Sequence, residues 1–98
     1  MYRNSLFDQD LSKKLQDPKF SKGFILNLME GDDGLTLQEA LRQTIERMGV
    51  KEFCKYSSMR KQNVNDFVKG RRKLKLETLD EFLKPFHLKT TLILEEAA

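Results

Sequence analysis

The chain has 98 residues, 39% of them apolar, and a formal net charge of +3, which leaves room for one domain with a modest core. It contains no run of 18 apolar residues, and residues 1–4 are not those of an apolar signal segment, so we expect a cytoplasmic protein with no membrane partner. With one cysteine and one histidine, the chain can form no internal disulfide and no zinc cluster, and we expect neither metal nor cofactor.

The positive charge is concentrated in the middle of the chain. Residues 1–54 and 76–98 each carry more acidic than basic side chains, whereas residues 55–75 carry eight Lys and Arg against one Asp. A block of this kind attracts a polyanion, although many basic runs are only solvated surface. The residues around the block therefore decide between the two interpretations.

Apolar periodicity and helix-capping residues predict three helices before this block. Asp17 and Pro18 are a favoured N-cap and first helical residue, and Thr36 with Glu39 matches a capping box. The turn between them lacks the ligand spacing of a calcium loop. The predicted helices cover residues 6–16, 18–30 and 36–48.

Residues 50–70 have the pattern of a helix-turn-helix, with helices predicted at 50–57 and 60–69. Phe53, Val64 and Phe67 are placed to fill the inner faces, and Cys54 is the small residue expected where the two helices approach most closely. Cys54 is interpreted as a core residue and not as a nucleophile.

The residues left outside this motif predict a surface that binds double-stranded DNA. Lysine can address guanine, Gln and Asn can address adenine, and the cations that follow can hold phosphates. The predicted DNA-binding residues are Arg60, Lys61, Gln62, Asn65, Asp66, Lys69, Arg71, Arg72 and Lys73. The small interface of one such domain predicts a homodimer that binds two half-sites.

After the basic loop, a short helix is predicted from Leu76, ended or bent by Pro85, and residues 90–95 have strand character. The predicted fold class is all-α: a small helical bundle with a repressor-like helix-turn-helix, N-terminal helices and a short C-terminal strand. We divide this single domain into a leader, a core and a tail, covering residues 1–34, 35–88 and 89–98.

Residues 49–88 resemble the Cro/repressor-like (XRE-type) helix-turn-helix regulators. In that family a recognition helix ends in Gly and is followed by a basic loop and a Leu-rich helix, as at Gly70 and Leu76-Glu77-Thr78-Leu79 here. Three positions depart from the family pattern, and one of them is Pro85, which lies inside the last helix of that pattern. Val50 stands where the family commonly has a Gln that contacts phosphate, and Ser58 replaces the usual turn Gly.

The leader has a narrower resemblance, carried by Leu15-Gln16-Asp17-Pro18-Lys19-Phe20. This segment is similar to the Leu-x-Asp-Pro-x-Phe pattern of antidote (HigA-like antitoxin) proteins of bacterial addiction modules. The resemblance implies a dimer that represses its own operon and neutralises a small toxin protein. The leader helices and the C-terminal tail would then be the candidate toxin-binding surfaces.

Three alternatives remain open from the sequence. The chain could be a free-standing repressor, or a protein-binding module that keeps the fold without reading DNA, which Val50 and the acidic Asp66 would suit. An enzyme is the weakest alternative, because no nucleophile with a base, no phosphate-binding glycine loop and no carboxylate pair in a recognisable motif is present.

Overall fold

The computed structural model describes residues 9–71 and 73–90 of the chain. Within these residues the fold is all-α, as predicted, and consists of six α-helices and a terminal 3-10 helix. The α-helices are α1 (Gln9–Leu15), α2 (Pro18–Leu28), α3 (Leu37–Met48), α4 (Val50–Ser57), α5 (Lys61–Val68) and α6 (Leu76–Leu83), and the 3-10 helix is Lys84–Phe86. No helix in this part of the chain is long and apolar enough to cross a membrane.

The helix starts follow the capping residues. The Asp17 carboxylate accepts a hydrogen bond from the Lys19 amide at 3.1 Å, and the Thr36 hydroxyl accepts one from the Glu39 amide at 3.2 Å. Each side chain satisfies an amide that has no partner inside its helix.

Helix α4 covers residues 50–57 as predicted, whereas some other helix ends differ from the prediction by one or two residues. The second helix stops at Leu28 instead of residue 30, and α5 covers Lys61–Val68 instead of residues 60–69. Pro85 lies in the 3-10 turn that follows α6, since a proline cannot continue an α-helical hydrogen-bond ladder. Of the predicted C-terminal strand, residues 91–95 lie outside the described residues, and Thr90 belongs to no strand.

One buried apolar cluster joins the leader helices to the rest of the fold. Leu15 of α1 and Ile25 of α2 are fully buried with residues of α3 to α6 and the 3-10 helix. The centre of the cluster is aromatic: the Phe53 ring lies 5.9 Å from that of Phe82 and 5.7 Å from that of Phe86. The Ser12 hydroxyl also donates to the carbonyl of Met48, which fixes α1 against the end of α3. The leader is therefore part of the core that supports α4 and α5.

Candidate nucleic-acid interface

Two backbone positions that favour glycine set the directions of α4 and α5. Gly49 joins α3 to α4 with φ 101° and ψ 132°, a conformation that side chains rarely allow. Ser58 follows α4 in the left-handed region, with φ 62°. The Ser57 hydroxyl accepts the Met59 amide at 3.3 Å and donates to the Phe53 carbonyl at 2.7 Å, which tightens the turn before α5.

The inner faces of α4 and α5 are apolar and buried in the core. Phe53, Val64 and Phe67 are all fully buried, as the sequence predicted. Cys54 is half-buried and packs against the same core. Burial raises the pKa of the Cys54 thiol, and the charge of Lys61 only partly opposes this shift. A thiol with a raised pKa stays protonated at neutral pH and is a poor nucleophile.

The outer face of α5 carries a stripe of polar side chains opposite Val64 and Phe67. Lys61 and Asn65 are four residues apart with Gln62 beside them, and Lys69, the C-cap residue just after α5, continues the spacing. Lys61, Gln62 and Lys69 are exposed, and Asn65 is half-buried. Donors and acceptors of this kind, on one face of a short helix, can reach base edges in a groove.

Asp66, predicted to lie outside the motif among the DNA-binding residues, has a charged neighbour within the chain. Its side chain is 29% exposed, and one carboxylate oxygen lies 3.9 Å from a guanidinium nitrogen of Arg71. The Arg71 amide also donates to the Asp66 carbonyl at 2.9 Å, so the turn after α5 brings the two residues together. Asp66 therefore lies within ion-pair distance of Arg71, whose side chain stays mostly exposed.

The basic loop, residues 69–75, follows α5 directly. Gly70 adopts φ 76°, and Lys69, Arg71, Lys73 and Lys75 are exposed. Arg72 lies outside the described residues. Arg60 is exposed just before α5, beside a groove of about 560 Å³ that Asn63 and Lys84 also line. Cations thus lie at both ends of α5.

Two residues of α3 hold this loop and the end of α5, and neither was predicted. The Gln38 side-chain amide donates to the Leu74 carbonyl at 3.3 Å and accepts the Leu74 amide at 3.2 Å. One turn later, Arg42 Nε donates to the Phe67 carbonyl at 3.2 Å, with its guanidinium 5.4 Å from the Phe67 ring centre. Their spacing of four residues on α3 is the only signal in the sequence that could have indicated a shared task.

No family model matches the chain, and neither a curated protein nor a solved structure matches it. Its function is therefore inferred from its own residues.

Proposed function

We propose that this protein is a sequence-specific regulator that binds double-stranded DNA with α5 in the major groove. The observation that carries the proposal is the outer stripe of α5, in which Lys61, Gln62 and Asn65 lie opposite a closed apolar face. Lysine can donate to guanine, and each amide can pair with adenine through one donor and one acceptor.

The cations at the ends of α5 would hold the DNA backbone. Arg60 precedes the helix, and Lys69, Arg71 and Lys73 follow it, so α5 would be inserted between two sets of phosphate contacts. Arg72 is assigned to the same set from the sequence alone. Each phosphate contact should contribute about one unit to the salt dependence of binding.

We further propose that the regulator is the antitoxin of a toxin-antitoxin module and represses its own operon as a dimer. The Leu15 to Phe20 segment supports this reading through its resemblance to the antidote proteins, and two half-sites are what a domain of this size needs for tight binding. Co-purification of a small basic protein encoded next to this gene would favour an antitoxin over a free-standing repressor.

The test is fluorescence anisotropy with the upstream DNA of its own gene and a scrambled fragment, at about 150 mM salt. The double substitution Lys61→Ala/Asn65→Ala should weaken binding to the upstream fragment about 30-fold or more, because each of the two base contacts contributes roughly 1–3 kcal/mol. Lys13→Ala, which removes an exposed lysine of α1, is the matched control and should leave binding unchanged.

Two outcomes would count against the proposal. If neither fragment binds, the helix pair is a scaffold for a protein partner. If both fragments bind equally and modest salt abolishes the binding, the basic block attracts polyanions without reading sequence.

A further inference from the structure

The outer face of α2 exposes apolar side chains that the rest of the described chain does not cover. Leu26 is 49% exposed and Phe20 is 40% exposed. They line a groove of about 550 Å³ together with Lys19, Gly23, Phe24 and Glu30. An apolar surface edged by charges is typical of a protein contact site.

Gly23 forms a notch in this face. A Cβ added at Gly23 would meet nothing within 4 Å, so no neighbour in the described chain requires a glycine there. A glycine inside a helix costs about 0.5–1 kcal/mol relative to alanine. Close packing of another molecule would explain the glycine, because a backbone position without a side chain lets a partner helix come close.

The residues of this face have a spacing that reads the same in both directions. Lys19, Gly23 and Leu26 of α2, and Glu30 two residues after its end, are separated by four, three and four residues. In an antiparallel pair of identical helices, Lys19 of one copy would therefore lie opposite Glu30 of the other. The same register places Leu26 of each copy opposite the Gly23 notch of its partner.

We propose that α2 is a self-association surface, on which two copies of this chain pair antiparallel about a two-fold axis. The occupant is a second copy because antiparallel pairing brings one Lys19 to Glu30 pair to each end, whereas parallel pairing would place like charges opposite each other. Both pairs form together, since the two copies are identical and related by a two-fold axis. A contact related by a two-fold axis is closed and adds no further copies.

The pair should dissociate at low concentration. One helix face buries less area than a stable interface of standard size, so we expect a reversible dimer. This surface would supply the dimer that the proposed function needs, yet the inference rests on α2 alone. Its test measures mass without DNA, so that its failure and the failure of DNA binding are distinguishable.

The experiment is sedimentation equilibrium of the full chain between about 10 μM and 1 mM, a range that covers weak association. We expect the mass to rise with concentration from 11.5 kDa towards twice that value. Gly23→Gln should keep the mass at that of one chain, because a long side chain fills the notch. The variant should still fold, since glutamine is a better helix former than glycine at this exposed position.

Charge-reversal variants provide a second test of the dimer. Lys19→Glu and Glu30→Lys should each weaken the dimer, and the double variant should restore it, because the pairs then form with exchanged signs. Lys22→Glu is the matched control: Lys22 is exposed on the same helix but does not line the groove.

The inference is overturned by a mass that stays at one chain throughout the range. It is overturned equally by a dimer that Gly23→Gln leaves intact, or by single reversals that the double variant does not rescue.

Discussion

Gln38 connects α3 to the basic loop through both ends of one side-chain amide. Gln38→Ala should lower the free energy of unfolding by about 1–2 kcal/mol, because two hydrogen bonds to Leu74 are lost. Hydrogen exchange at the Leu74 amide should become faster. Gln38→Glu keeps an acceptor for that amide but loses the donor to the carbonyl, so its effect should be intermediate. Unchanged exchange in Gln38→Ala would show that the loop is held by other contacts.

Asp80 binds Thr90, the last residue that the structure describes. The backbone amide of Thr90 donates to its carboxylate at 2.8 Å and the Thr90 hydroxyl donates at 2.7 Å. These hydrogen bonds, the amide first, lower the pKa of Asp80 below its ordinary value of 3.8, and Lys84 contributes in the same direction.

Because the pKa of Asp80 is lowered, the stabilisation provided by its hydrogen bonds with Thr90 depends on pH. Its stabilising contribution is fully present above the ordinary value of 3.8 and is lost as the pH falls through the lowered pKa of the folded state. We expect the Thr90 amide resonance to titrate in that acidic range, as measured by NMR. The titration should be absent in Asp80→Asn, and a Thr90 shift that persists in that variant would assign the effect to another group.

At the scale of elements, Ser58 is a strained residue in the turn between α4 and α5. Its left-handed conformation costs a side chain about 1–2 kcal/mol. Ser58→Gly should remove that cost. Glycine also gives the unfolded chain more conformational freedom, which lowers the stability of the folded state by about 0.4–1 kcal/mol. We therefore predict a net stabilisation of about 0.5 kcal/mol in thermal unfolding.

Ser57→Gly is the matched control, one residue earlier in the same turn. Ser57 lies inside α4 and makes two hydrogen bonds through its hydroxyl, so this substitution should destabilise the fold. Destabilisation by both substitutions would mean that the Ser58 side chain contributes a contact that outweighs its strain.

The sequence predicted the helices and their buried faces because both depend on neighbouring residues. Asp17 and Thr36 cap the helices they were expected to cap, and the spacing of Phe53, Val64 and Phe67 placed them in the core. Apolar periodicity and capping act within a few residues of the chain, where a pattern can be read.

The contacts that position the candidate interface join residues that are far apart in the sequence. Arg42 lies 25 residues from Phe67, whose carbonyl it binds, and no pattern along the chain connects them. Helical periodicity predicted that Asp66 lies outside the motif, but it did not predict that the residue is half-buried beside Arg71. Its partner Arg71 reaches it only through the turn at Gly70, whose geometry depends on the folded loop.

At the scale of the whole molecule, the leader and the candidate interface share one core. Leu15 of α1 is fully buried, although α1 lies far from α5 along the chain. Leu15→Ala should therefore destabilise the entire fold by about 2–5 kcal/mol, because it opens a cavity in that shared core. Circular dichroism should show a single transition at a lower temperature.

Lys14→Ala is the control for this prediction, since Lys14 is the exposed neighbour of Leu15 in α1. It should leave the melting temperature nearly unchanged. If Leu15→Ala gave two transitions, with the second at the original temperature, the leader would be an independent unit.

Entry of α5 into a DNA groove is tested by an NMR titration of the protein with its own upstream DNA. We expect the side-chain amides of Gln62 and Asn65 to shift together with the backbone amides of the basic loop, residues 69–75. Shifts confined to the basic loop, with both side-chain amides unmoved, would contradict base reading by α5.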